Sequence, residues 1–185
     1  MLTGAFYPDI SGAGLQALSL CRSLSGRFTF HVITTTRQRD LSAFEILDGI
    51  RIYRIPLDPE HRVSKLTALW KFFLIFLKIR FQIELIHHHG FSDKTLWSIL
   101  LARISGLKIL HKFTSAGDDD PASIQRRRFG RLKYWFLKHS NAFVSPSPAL
   151  DHLIRQSTLP TAKIHLIPNG VDCRRLQPIP DPQHR

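Results

Sequence analysis

Two glycines stand two apart in YPDISGAGLQ, residues 7–16, between a short apolar run and a helix-like one. Gly12, Gly14 and Ala17 fit the pattern G-x-G-x-x-A. Small residues at that spacing permit a tight turn and let the N-terminal amides of a helix face a phosphate. In a dinucleotide-binding fold the first glycine comes straight off the strand, and an acidic residue near the end of the second strand holds the ribose. Here residues 7–11 intervene and the second strand ends in TTTR, which disfavours a nicotinamide or flavin cofactor. The plain alternative is that both glycines only shape a turn.

LIHHHGF, residues 85–91, ends a predicted strand. With a period of two, His87 and His89 point to one face and His88 to the other, so the three cannot converge on one metal. No nearby thiol or carboxylate completes a zinc set. A neutral imidazole at a strand end can hydrogen-bond a sugar or phosphate, or simply pack in the sheet. TSAGDDDP, residues 114–121, sets Asp118, Asp119 and Asp120 ahead of a helix, where they could cap it or accept a hydrogen bond from a substrate hydroxyl. Holding Mg²⁺ there would need a second carboxylate-rich loop.

The basic residues fall in two apolar settings. KLTALWKFFLIFLKIRF, residues 65–81, is apolar round most of a helix, with Lys71 and Lys78 one heptad apart on one stripe. RRRFGRLKYWFLK, residues 126–138, interleaves six basic residues, among them Arg126, Arg127 and Arg128, with four aromatic ones. Each reads either as a core helix with a solvated edge or as a helix lying at an anionic lipid surface. The chain carries 26 Lys and Arg against 14 Asp and Glu, a net charge of +12, so phosphate-bearing partners of some kind are expected. Without an RNP signature or a helix-turn-helix pattern, nucleic acid is not among them.

These residues have to be positioned by the elements around them. A chain of 185 residues suffices for one core and not for two ordinary ones. Apolar runs at residues 2–6, 28–36, 50–55, 84–88, 108–113, 142–144 and 164–167 read as strands. Helical patterns at 14–24, 65–81, 93–105, 121–139 and 148–156 separate most of them. Asp120-Pro121 and Ser147-Pro148 each join an N-cap residue to proline at the first helical position. Such alternation predicts an α/β, Rossmann-like, doubly wound and mainly parallel sheet with helices on both faces, binding its ligands at the carboxyl ends of the strands. The first strand lacks a charged lead-in, and its start is expected upstream of Met1. Cys21 and Cys173 lack C-x-x-C spacing, so neither a disulfide framework nor a zinc site is expected, and a cytoplasmic location fits. No signal-peptide pattern or spanning segment is present in the sequence.

In this order the segments resemble the N-terminal domain of glycosyltransferase family 4, whose members are retaining, metal-independent transferases with two Rossmann-like domains. YPDISGAG is similar to the loop after the family's first strand and DGIRIYRIP to its third-strand segment. LIHHHG resembles its H-x-H-G strand end, VSPSPAL its VSxS-type turn, and IPNGVD the segment closing the domain. The resemblance implies a domain over residues 1–172, a linker or tail over 173–185, and a donor domain with an E-x₇-E motif that this chain lacks. It also implies a nucleotide-sugar donor, a glycan or lipid-linked acceptor, and neither cofactor nor metal. Ser11, Gly12 and Gly14 would meet the donor diphosphate. His89 and Asp118 would be catalytic, and His87, Gly90, Thr114, Gly117 and Asn169 would contact the acceptor. The setting implied is peripheral, at the inner face of a membrane, through Lys71, Lys78, Arg126, Arg127 and Arg128.

Two departures stand out. Ser11-Gly12 replaces the Gly-Gly pair of many members. Ala116 stands where the family's T-x-H-G has a histidine, leaving His89 or Asp118 to take over the acceptor contacts or the acceptor to sit differently. The competing expectation is a non-catalytic Rossmann-like domain that binds a membrane or a protein partner.

Overall fold

The computed structural model describes residues 1–170; the end of the IPNGVD segment, Cys173 and the tail expected over 173–185 lie outside them. Eight strands form a single sheet, in the order β3-β4-β2-β1-β5-β6-β7-β8. They are β1 (Leu2–Thr3), β2 (His31–Thr36), β3 (Phe44–Leu47), β4 (Ile50–Pro56), β5 (Leu85–His89), β6 (Lys108–Lys112), β7 (Ala142–Ser145) and β8 (Ile164–Leu166). All pairings are parallel except that of β3 with β4. Six helices connect them: α1 (Gly12–Leu24), α2 (Arg62–Ile79), α3 (Asp93–Ser105), α4 (Pro121–Arg126), α5 (Gly130–Leu137) and α6 (Pro148–Arg155). The α/β, Rossmann-like architecture is the one the alternation of patterns predicts.

Burial divides the helices between the two faces. α1 covers one face, where Ala17, Leu18 and Cys21 pack with Phe6, Val32, Ile50 and Ile52. On the opposite face Ala68 and Phe72 of α2 pack with Leu2, Ile33, Tyr53 and Ile55. There α2, α3 and α5 also meet over Ile86 and Ile109 through Phe76, Ile99, Ala102 and Phe136. Gly14, Ala17, Leu18 and Cys21, at i, i+3, i+4 and i+7, form the buried stripe of α1.

Three expectations are corrected. β1 leaves the sheet after Thr3, and Phe6 instead buries beneath α1, so the strand is shorter than the apolar run. β3 is an added edge strand that pairs antiparallel with β4 across Asp48-Gly49, whose φ values of 51° and 79° suit a tight Asp-Gly hairpin turn. The IRIYRIP segment is therefore the fourth strand and not the third. The helix expected over 121–139 breaks in two, with Phe129 at φ 57° and Gly130 so close to the preceding turn that an added Cβ would lie 2.1 Å from the Gln125 carbonyl oxygen. That contact excludes any other residue.

The two caps expected from the sequence form: Asp120 accepts from Ser123 N–H at 3.0 Å and Ser147 from Leu150 N–H at 3.3 Å. Ser11, expected only as a phosphate contact, caps α1, its Oγ accepting from Gly14 N–H at 3.0 Å. Gly106 closes α3 in the left-handed conformation at φ 70°.

Candidate functional site

The carboxyl ends of β1, β5 and β6 form one edge of the sheet, and the expected site residues are distributed along it. Gly12 and Ala13 open α1 there, and among the described residues their amides donate to nothing. The Gly14 amide is occupied by Ser11, and a Cβ at Gly14 would lie 2.6 Å from the Ala5 carbonyl oxygen. Gly14 therefore permits close packing, while Gly12, with open space round it, leaves the helix N-terminus accessible. Arg54, 3% exposed at the end of β4, fixes the start of this loop by donating to the Tyr7 carbonyl at 2.8 Å and pairing with Glu45 at 2.6 Å. No sequence motif marks it.

Register separates the three histidines. His88 pairs with Leu2, on the α2–α3 face, and its Nε2 meets Ser98 Oγ at 2.6 Å. His87 and His89 turn to the α1 face with ring centroids 4.3 Å apart, as the alternation predicts. His89 is 3% exposed and neither of its ring nitrogens has a partner. Burial, then the neighbouring positive charges, hold His87 and His89 neutral, with pKa values of about 3 and about 2. His111, on the other face, is enclosed by His88, Phe91, Phe113 and Phe143 and is pushed down to about 3, chiefly by burial.

These buried imidazoles carry a stability prediction. A histidine held neutral in the fold but titrating near 6.5 when unfolded contributes fully above that pH, and its contribution is lost as pH falls below it. Each such group costs the fold about 1.4 kcal/mol per pH unit down to its native pKa. Unfolding free energy should therefore fall steeply between about pH 6 and 4, and His111→Phe should flatten the slope by about one proton's worth. Urea titrations across that range check it, and an unchanged slope would refute the assignment.

The acidic triplet is divided among three roles. Asp118, expected as a catalytic residue, is exposed and paired with Arg127 at 3.0 Å, and the structure does not bring it together with the other expected residues. Asp120 caps α4 and also accepts from Gly117 N–H, whose φ of 83° forms the turn. Asp119 is buried and turns inward. Its Oδ2 accepts from both Thr114 N–H at 3.0 Å and Thr114 Oγ at 2.7 Å, whereas the buried Oδ1 has no partner. Burial, opposed by these hydrogen bonds, raises its pKa to about 6. Gly90, at φ 78°, leaves room for this carboxylate, since a Cβ would lie 3.2 Å from Asp119 Oδ2 and 3.3 Å from Thr114 Oγ.

Gly90, Thr114 and Asp119 thus converge immediately beyond His89. Asn169 enters from the far end of the domain, its side chain accepting from Lys112 at 2.6 Å. Two lysines at this edge escaped the sequence reading. Lys112 ends β6, and Lys94 of α3 reaches Thr3 O at 3.2 Å and Thr35 Oγ at 3.0 Å, with burial lowering its pKa to about 8. The signal in the sequence for Lys112 is a lysine inside the apolar run 108–113. Nothing in the sequence distinguished Asp119 from its neighbours.

A parallel sheet whose first loop opens a helix at the carboxyl edge, with polar groups gathered beyond β5 and β6, defines a ligand-binding domain of the Rossmann-like class. Residues 10–175 match Glycosyltransferase Family 4, and the chain belongs to that family. The phosphatidylinositol N-acetylglucosaminyltransferase gpi3 subunit of Schizosaccharomyces pombe is 27% identical over 185 residues, covering 97% of this chain and 40% of that protein. Sucrose-phosphate synthase from Thermosynechococcus elongatus superposes with a TM-score of 0.70 at 18% identity, over 96% of this chain and 50% of the other. Anabaena HepE in complex with UDP-glucose gives 0.60 at 12% identity, over 94% and 44%. These two likenesses carry the fold. The chain spans half or less of the length of each of these proteins.

Proposed function

We propose that this domain is the acceptor-binding half of a retaining, metal-independent glycosyltransferase of the hexosyl-transferring type. Its donor is a nucleotide-sugar and its acceptor a glycan or lipid-linked hydroxyl. The observation that carries the reading is the convergence of Gly90, Thr114 and the buried Asp119 beside His89, one strand from an α1 N-terminus with two open amides. The amides of Gly12 and Ala13, at the positive end of the helix dipole, stabilise charge that develops on the leaving diphosphate. Asp119 Oδ1 accepts the hydrogen of the attacking hydroxyl and orients it, taking over what Ala116 cannot do, with His87 and His89 lining the approach. The sugar-nucleotide contacts belong to a second, donor-binding domain, and this chain alone does not transfer sugar. In a complete transferase Gly12→Val, whose Cβ would meet nothing within 4 Å, should leave folding intact and lower kcat at least tenfold; wild-type kcat would exclude diphosphate contact at this loop.

The reading includes a membrane partner, at the cytoplasmic face. α2, α3 and α5 lie side by side on one face, and each exposes a tryptophan: Trp70 at 62%, Trp97 at 43% and Trp135 at 55%. Neither α2 nor α5 contains an acidic residue, and Lys65, Lys71, Lys78, Arg103 and Arg131 stand exposed among the apolar side chains. Interfacial tryptophans flanked by cations suit an anionic lipid surface. Arg127 is committed to Asp118 and Arg126 reaches Ser123 Oγ, so α2 carries more of this contact than the 126–128 triplet. No helix among the described residues is long and apolar enough to cross a membrane.

A purely binding role would use the same helical face. It would leave the polar convergence at the sheet edge without a purpose.

A further inference from the structure

Lys112 ends an interior strand, between β5 and β7, and is only 9% exposed. Its ammonium donates to Gln16 Oε1 of α1 at 3.1 Å and to Asn169 Oδ1 at 2.6 Å. Both partners are neutral, and among the described residues no carboxylate lies within ion-pairing distance of it. Taking an ammonium out of water without a counter-charge is costly, and two amide oxygens replace only part of its hydration. A side chain that merely tied α1 to residue 169 could do so without charge. The positive charge itself is what the resting contacts leave unexplained.

The surroundings supply the complementary half of a site. In register with Lys112 on β5 is His89, 97% buried by its exposure of 3%, with both ring nitrogens unpartnered. Both side chains lie on the α1 face, where the first turn of α1 presents the open Gly12 and Ala13 amides. Asn169 is exposed and Gln16 partly so, leaving either amide free to swing away.

We propose that Lys112 anchors a phosphate-binding site in which a phosphate oxygen replaces one of its two amide partners and His89 donates a second hydrogen bond. The ligand class is a phosphate monoester or diphosphate, carried by a nucleotide-sugar or by a phosphorylated acceptor; the oxyanion is common to both. This inference extends the transferase reading without depending on it, since binding can be measured with no transfer taking place.

The test compares thermal melts and calorimetric titrations of the chain with pyrophosphate, uridine diphosphate and glycerol 3-phosphate. The wild type should bind at least one of them and melt higher in its presence. Lys112→Met should lose at least tenfold in affinity along with the melting shift, while Lys108→Met, an exposed charge at the other end of the same strand, should retain both. Lys112→Gln repeats the measurement with a neutral polar side chain should the methionine variant not fold. Tighter binding of uridine diphosphate assigns the site to the donor, and tighter binding of glycerol 3-phosphate assigns it to the acceptor. A folded wild type that binds none of the three, or a neutral variant that binds as the wild type does, would overturn the site whatever becomes of the transferase reading.

Discussion

Asp119→Asn, introduced into a complete transferase carrying this domain, is expected to lower kcat/KM for the acceptor about 100-fold, the scale of loss when a reacting group is misplaced. The substitution is nearly isosteric. Its amide oxygen can still accept from the Thr114 N–H and hydroxyl, so the loop stays in place and the melting temperature should barely move. What changes is the inward-facing atom, from a carboxylate oxygen that accepts to an NH₂ that donates. Asp118→Asn should stay within about twofold of wild type, because that side chain is exposed and its pairing with Arg127 lies on the surface.

The same pair of variants has a pH signature. Burial raises the Asp119 pKa to about 6, and a proton on Oδ1, the oxygen without a partner, turns that atom from an acceptor into a donor. Activity should therefore rise as pH increases through about 6, and this limb should be missing in Asp119→Asn. Equal activity of the two variants, or an acid limb that persists in Asp119→Asn, would remove Asp119 from the mechanism.

The second large effect concerns the helical face. On α2, Val63, Leu66, Trp70, Leu74 and Leu77, continued by Phe81 in the turn just after it, recur every three or four residues and are 38–85% exposed, opposite the buried Ala68, Phe72, Phe76 and Ile79. A helix apolar on both sides has one apolar side left over when the fold is complete. Trp70→Ser with Leu74→Ser should weaken binding to phosphatidylserine-containing vesicles by roughly 100-fold, since each buried apolar side chain is worth about 1.5–3 kcal/mol and 1.4 kcal/mol is tenfold. Lys71→Gln with Lys78→Gln should cost about 2 kcal/mol on anionic vesicles and nothing on neutral ones. Flotation of the wild type and both double variants checks this. Equal flotation with both lipid types would refute the basic stripe, and loss of the apolar side chains without effect would refute docking by this face.

Much of the fold was legible because it depends on local chemistry. The caps at Asp120 and Ser147 and the alternation in LIHHH are each decided within a few residues, and the structure has them as read. The misses are of another kind. Asp48-Gly49 between two apolar segments is itself a hairpin signal, but it adds an antiparallel strand that the alternation of strands and helices does not count. Residues 121–139 break where Gly130 comes against the Gln125 carbonyl, a backbone geometry that helical periodicity does not report.

The candidate site divides in the same way. By itself the sequence determined that glycines open α1, that His87 and His89 share a face, and that an acidic turn precedes α4, since spacing and backbone periodicity settle these. Only the tertiary structure decided which aspartate turns inward, that Gly14 serves packing while Gly12 stays open, and that Lys112 meets Gln16 and Asn169 across 96 and 57 residues of chain. Burial and charge neutralisation are properties of a place in the fold. Residues distant in sequence create that place together, and no stretch of the chain carries it alone.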